Sequence, residues 1–422
     1  MSLSTLELSS EILKAIEEKG YNKATDIQKE LIPAIFSGRD ILAGAITGTG
    51  KTAGFTLPIL EKLNSQYKKD FHYPKALIIV PTRELAKQVY ASIEDYGKYL
   101  PLKYISLYGG ANISMQSKKL QDGVDVIVAT TGRLLEHIEH KNIKLDGIKY
   151  LVLDEADTIL DMGFIKEVNE ILTKLPSKRQ NILISATLVG SVKRLANNIL
   201  HRAKLIEIDS MGKTTSNIKQ VIYPVSIELK NELLSYIIGS RNYKQVLVFV
   251  RKKDEADELT KELNLSGLKT DTIHGDKSLG KRARALEYFK EGKIRVLVAT
   301  DIASRGLDIP KLSVVINYDI PHVTSDYIHR IGRTGRAGEM GIAITLISPK
   351  EEIALKSVER LTGKAIKREI IDGYAPKETI EHKGARKKDE NRKRVDGAFG
   401  KKKNSSTPTK KKRKTTKRDR FN

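Results

Sequence analysis

Apolar residues along this chain fall in short, nearly unbroken runs. In the first half they are DILAGA (40–45), ALIIV (76–80), VIVA (126–129), YLVLD (150–154) and NILIS (181–185). In the second half they are VLVFV (246–250), RVLVAT (295–300), VVINY (314–318) and AITLI (343–347). A strand with one wet face alternates apolar and polar residues. Runs without alternation are expected of strands covered on both faces by helices. Helical patterns separate the runs, among them Arg83 to Tyr96 and Asp254 to Leu263. That order predicts an α/β fold with mostly parallel sheets assembled from βαβ units.

A polar stretch from Asp209 to Asn217, rich in Ser and Thr, separates two halves of similar size and pattern. It reads as a linker, and the halves read as a structural duplication. The predicted layout is a first domain over 1–208, the linker over 209–217, a second domain over 218–374, and a tail over 375–422. Apolar periodicity ends near Gly373, so the low-complexity remainder is expected to be disordered when free.

Composition narrows the picture. The 422 residues fit two or three domains. The absence of Cys excludes a disulfide framework, a thiolate metal site and a catalytic thiol, and fits a reducing compartment. Met1 to Ser10 has neither a cationic start nor an apolar core, and no apolar run approaches the ~18 residues of a membrane span. A cytoplasmic protein is the expectation. Net charge is +23, and the last 48 residues hold 19 Lys+Arg against 6 Asp+Glu, more than half of the excess. Such an excess points to a polyanionic partner, nucleic acid first. A solubilising tail is the alternative for the terminal run.

Three motifs carry chemistry. Ala45-Ile46-Thr47-Gly48-Thr49-Gly50-Lys51-Thr52 follows an apolar run and precedes a helical pattern, the setting a phosphate-binding loop needs. Gly48 and Gly50 let backbone N–H groups approach phosphates, Lys51 reaches the β and γ oxygens, and the Thr52 hydroxyl is a ligand for Mg²⁺. Ala45 stands where the strict pattern has Gly. Next, Asp154-Glu155-Ala156-Asp157 comes directly after YLVL. Asp154, at a strand end, is placed to hold Mg²⁺, partly through water, and Glu155 to act as general base on water. Alone, three acids in four residues would read as a solvated turn. Last, His329-Arg330-Ile331-Gly332-Arg333-Thr334-Gly335-Arg336 puts Arg333 and Arg336 three apart, able to face one ligand. They would stabilise charge developing on a γ-phosphate or bind RNA phosphates.

Together these motifs resemble the DEAD-box family of ATP-dependent RNA helicases, in helicase superfamily 2, over roughly residues 3 to 370. The HGDKS segment looks closest to the bacterial RhlE-like branch. Gly20-Tyr21 through Ile27-Gln28 resembles the Q motif, with Tyr21 to stack on adenine and Gln28 to bond its edge. Pro81 to Ala86 resembles motif Ia, Gly109-Gly110 the GG motif, and Thr130 to Arg133 motif Ib. Ser185-Ala186-Thr187 resembles motif III, Leu247 to Arg251 motif IV, Ala299 to Asp308 motif V, and the His329 segment motif VI. The resemblance implies two RecA-like domains, the first binding ATP, with ATP and Mg²⁺ in the cleft between them and single-stranded RNA across both. It places Arg83, Gly110, Gly132, Arg133, Arg282, Thr300 and Asp301 at the RNA backbone. It places Asp308 at a ribose, and Ser185, Thr187 and His329 in coupling. Thr47, Thr49 and Ala45 join the ATP contacts. Departures are Leu3 for an aromatic, Ala24 and Thr131 for Pro, and Leu279 for Gln. A DNA helicase of the same superfamily and an ATP-gated RNA-annealing chaperone are the alternatives.

Overall fold

The computed structural model describes residues 6–21, 23–45, 48–67, 73–188, 190–208, 217–304, 312–335 and 340–376, save the side chains of Leu279, Ile302 and Ser304. It contains two seven-stranded sheets. In the first, β1 (Ile41–Gly44), β2 (Ala76–Ile79), β3 (Tyr104–Leu107), β4 (Val126–Ala129), β5 (Tyr150–Leu153), β6 (Gln180–Ser185) and β7 (Lys204–Glu207) lie in the order β3-β4-β2-β5-β6-β1-β7. The second holds β8 (Ile218–Pro224), β9 (Val246–Val250), β10 (Thr270–Ile273), β11 (Val296–Thr300), β12 (Val314–Asn317), β13 (Gly341–Ile347) and β14 (Lys367–Arg368), in the order β10-β11-β9-β12-β13-β8-β14. Counting strands from the start of each sheet, both orders are 3-4-2-5-6-1-7. The strand pairs are parallel throughout both sheets.

The unbroken apolar runs have the meaning read from the sequence. On β2, Ile78 packs into one core while Leu77 and Ile79 pack into the core on the opposite face. On β9, Val246, Val248 and Val250 face one core and Leu247 and Phe249 another. Side chains alternate across a strand, so a run apolar at every position feeds both faces. Parallel neighbours need long crossovers, which the helices supply. Thr82 caps helix Arg83–Tyr96, its hydroxyl accepting from Leu85 N at 3.3 Å, and Ser278 caps Leu279–Lys290 in the same way. Such caps satisfy a helix-start N–H and contribute about 1 kcal/mol each. Among the described residues no helix is long and apolar enough to cross a membrane.

Candidate functional site

The neighbours β5, β6 and β1 end together, and their carboxyl ends carry the first two motifs. In open α/β sheets, ligands bind at such strand ends. Ala45 follows β1 and donates its N–H to Ser185 O at 2.9 Å, tying the phosphate loop to the end of β6. Gly48 and Gly50 have φ of +86° and +91°. Glycine carries this conformation without strain. A Cβ at Gly50 would also stand 2.5 Å from Gln28 Nε2. Gln28 packs there because its amide donates to Gly50 O at 3.1 Å and accepts from Thr25 N at 3.0 Å. The Q-motif glutamine is thereby joined to the end of the loop, with one amide proton to spare. Tyr21 is 51% exposed.

Lys51 opens helix Lys51–Asn64, and Thr52 follows it. The Lys51 ammonium is buried and has no hydrogen-bond partner among the described residues. Asp154, at the end of β5, is 2% exposed. Burial pushes its carboxyl up to about 6, against the pull of Lys51. A buried ammonium without a hydrogen-bond partner costs free energy, as does ionising a buried carboxyl. Both costs fall when a polyanion meets Lys51 and a hard cation meets Asp154, so the residues fit a nucleotide with Mg²⁺. Glu155 is buried at φ +50°, a left-handed conformation that costs a non-glycine residue on the order of 1 kcal/mol.

Asp157, two residues on from Glu155, gathers the third strand end. Its Oδ2 accepts from Ala186 N (3.1 Å), Thr187 N (2.9 Å) and the Thr187 hydroxyl (2.9 Å). Ser185 Oγ donates to Thr187 O at 2.8 Å, so motif III is folded around this carboxylate. Across the cleft, His329 Nε2 of the second sheet's lobe stands 3.4 Å from the same Oδ2. Burial opposes the charge on Asp157, yet the bond and charge of His329, then Lys51 and Thr187, hold its carboxyl well below the usual range. The sequence reading gave Asp157 no role, although it lies in the motif.

His329 sits on helix Thr324–Ile331, and Arg333 is buried just beyond its end. Arg330 between them is 1% exposed, clasps Asp301 with Nε and Nη2 (2.5 and 2.7 Å) and lies over the Phe249 ring. Asp301, expected at the RNA backbone, thus also holds Arg330 through both of its oxygens. Ile46, Thr47, Asp308 and Arg336 lie outside the described residues, as do Leu3, the linker over 209–216 and the tail from Lys377 onward.

The expected RNA contacts of the first lobe converge on one loop. Arg83 Nη1 donates to Gly109 O at 3.1 Å and Arg133 Nη1 to Ala111 O at 3.0 Å, with Gly110 at φ +83° between them. A Cβ built on Gly132 meets nothing within 4 Å, so its face is open to a close approach. Thr300 ends β11. Arg282 Nη2 bonds Glu84 Oε1 at 2.9 Å, a second link between the lobes.

Two RecA-like lobes, each a parallel sheet with helices, with a phosphate loop on one and His329 of the other reaching Asp157 of the acidic turn, define a two-lobed nucleotide-binding fold. Residues 25–195 match the DEAD/DEAH box helicase model and residues 229–338 the helicase conserved C-terminal domain. The chain is 40% identical to the DEAD-box ATP-dependent RNA helicase CshA of Bacillus subtilis (strain 168) over 368 residues, 87% of this chain and 74% of CshA. It therefore belongs to the DEAD-box helicase family; these relatives do not confirm the RhlE-like branch. It is also similar to S. cerevisiae Dbp5 bound to RNA and ADP BeF3, with a TM-score of 0.78 and 31% identity over 88% of this chain and 96% of that one. Against a Dbp5 variant bound to Nup159, a Gle1 variant, IP6 and ADP, the TM-score is 0.58, with 30% identity over 86% of this chain and 96% of that one. The lobes here are therefore arranged more as in the RNA-bound protein.

Proposed function

We infer that this chain is an ATP-dependent RNA helicase, hydrolysing ATP in the cleft and using closure of the lobes to open short RNA duplexes. The observation that carries this is the pairing of an orphaned, buried Lys51 with a direct cross-cleft contact, Asp157 to His329. One lobe offers charge for the triphosphate, and the other reaches the residue that organises it.

In this reading the lobes span 1–208 and 218–374, joined by 209–217. Ala45, Thr47, Gly48, Thr49 and Gly50 wrap the phosphates, and Lys51 donates to their oxygens. Tyr21 and Gln28 hold the adenine, and Asp308 a ribose. Thr52 and Asp154 hold Mg²⁺, which would neutralise phosphate charge. Glu155 takes the proton from the attacking water. Arg333 and Arg336 stabilise the charge developing on the transferred group, an effect worth ~10³–10⁵ in rate for such arginines. Arg83, Gly110, Gly132, Arg133, Arg282, Thr300 and Asp301 hold the RNA backbone, and Asp301 also seats Arg330. Such contacts read little sequence. Ser185, Thr187 and His329 couple the two sites. Binding of RNA and of ATP must then each strengthen the other by one common factor. The basic tail of 375–422 adds non-specific, salt-sensitive RNA affinity, and the protein works in the cytoplasm.

The test is ATP hydrolysis and strand separation with matched RNA and DNA oligomers. RNA should stimulate turnover about tenfold more than DNA, and short RNA duplexes should open only with ATP, given the 2′-OH recognition expected of such enzymes. Equal or stronger stimulation by DNA would overturn the assignment. Deleting 375–422 should leave both activities in place; their loss would favour a tail-driven annealing chaperone.

A further inference from the structure

Behind Arg133 lies a chain of buried polar side chains that nothing above uses. Gln116, 7% exposed, accepts at Oε1 from Arg133 Nη1 at 2.8 Å and faces His137 Nε2 at 3.1 Å. Its own Nε2 donates to Ser106 O at 3.4 Å, which fixes the amide with nitrogen toward β3 and oxygen toward Arg133. His137 is fully buried, and its Nδ1 lies 3.2 Å from Asn142 Nδ2. Gln116 Oε1 only accepts, so His137 carries its proton on Nε2, and Nδ1 accepts from Asn142. Burial, then the neighbouring Arg133, lowers the His137 pKa, favouring the neutral ring that this pattern requires. Asn142 is itself held, its backbone N–H donating to His137 O at 2.9 Å. On Arg133, Nη1 is taken by Gln116 and Ala111, and Nε lies 2.9 Å from Glu136 Oε2. Nε makes no aligned hydrogen bond within this ion pair, and Nη2 has no partner among the described residues.

We propose that Asn142, His137 and Gln116 form a positioning relay that fixes the Arg133 guanidinium, and through it the Gly109–Ala111 loop, so that Nη2 meets an RNA phosphate. The proposal rests on reading Arg133 as an RNA contact. In a buried chain whose links each join a donor to an acceptor, one arrangement is preferred, and a break leaves an unpaired group. Gln116 and His137 touch no RNA in this scheme; they act through Arg133.

The test measures the RNA concentration that half-saturates ATP turnover, the turnover at saturating RNA, nucleotide affinity and melting temperature, all in the full chain. Gln116→Leu should raise half-saturation about tenfold, the loss of one charge-assisted contact, with saturated turnover and nucleotide affinity within about twofold of the native chain. Gln116→Glu keeps an acceptor for both neighbours and should recover most of that loss. Arg133→Ala should cost at least as much as Gln116→Leu, and the double variant no more than Arg133→Ala alone. Should the leucine variant fail to fold, His137→Phe breaks the relay one link further back and carries the same expectation. An unchanged half-saturation in the broken variants, additive effects in the double variant, or an equal fall in nucleotide affinity would overturn the relay. An Arg133→Ala chain that binds RNA normally would instead remove Arg133 from the RNA path, and the relay with it.

Discussion

The two lobes share one strand order, yet the same point of each sheet is chemically opposite. In the first lobe, Ala45 N after β1 bonds Ser185 O of β6 at 2.9 Å; in the second, Val225 N after β8 bonds Ile347 O of β13 at 2.9 Å. A lysine opens the next α-helix in both, Lys51 and Lys230. An aspartate follows the fifth strand in both, Asp154 and Asp319. Lys51 has no partner among the described residues. Lys230 is equally buried but donates to Tyr318 O (2.9 Å), Glu351 (2.9 Å) and Asp319 (3.4 Å). Burial opposes the charge on Glu351, but Lys230 and Ser348 hold its carboxyl below the ordinary range. One scaffold thus keeps its lysine for an external anion, and its copy has answered the lysine with its own carboxylates. What separates a binding site from a structural ion cluster here is the set of acceptors around the lysine, Glu351 and Asp319 among them, not the fold.

That contrast can be broken at either lysine. Lys51→Ala should lower RNA-stimulated ATP turnover by about 10³-fold or more, the scale of removing a principal phosphate clamp, while unfolding stability changes little. Lys230→Ala should do the reverse: a loss of about 3–5 kcal/mol in denaturant unfolding, as for other broken buried pairs, with turnover per folded molecule retained. Equal effects of the two on turnover would end the comparison.

The next largest effect is at the strained turn. Glu155→Gln should cut turnover by ~10²–10⁴, the range for a lost general base, yet keep ATP affinity and accumulate a closed complex with RNA. Phosphate release at the native rate would remove Glu155 from its role.

A smaller effect concerns stability. The Asp154 carboxyl titrates at about 6 in the fold against 3.8 outside it, so between those pH values the folded chain binds more protons. Stability from this group is therefore present at low pH and is lost as pH rises through 6. Without nucleotide and with chelator present, Asp154→Asn should be about 1–3 kcal/mol more stable than the native chain at pH 7, with the gap closing below about pH 4. A gap that widens on acidification would contradict the assigned cause. The smallest expected change is at the cross-cleft contact. His329→Ala should reduce the factor by which RNA strengthens ATP binding about tenfold, as measured by titration with and without RNA; an unchanged factor would place the coupling elsewhere.

The interior strands of each sheet, β8 with its Lys219 and Gln220 apart, were legible in the sequence because central strands are apolar at nearly every position. The edges were not. β3 (YISL) alternates buried and half-buried residues, β10 (TDTI) is mostly polar, and β7 (KLIE) buries one residue of four. An edge strand lacks a neighbour on one side and needs less apolar cover, so the signal of unbroken runs fades there. The phosphate loop and the acidic turn were legible because their chemistry is local. Asp157 as the hub of motif III was not, since its partners lie 29 and 30 residues away and its histidine lies in the other lobe. Arg330 with Asp301, and Lys230 with Glu351, are likewise pairs that only folding brings together. One signal was available: a lysine opening the helix after the first strand of each half.

The central claim is that the second lobe completes the site on the first. Single-turnover ATP hydrolysis by the full chain carrying Arg333→Ala, at saturating RNA, tests it most directly. The account predicts a rate ~10³-fold or more below the native chain, in the range known for such arginines, with ATP affinity within a few fold. Hydrolysis at the native rate would show that the first lobe works alone.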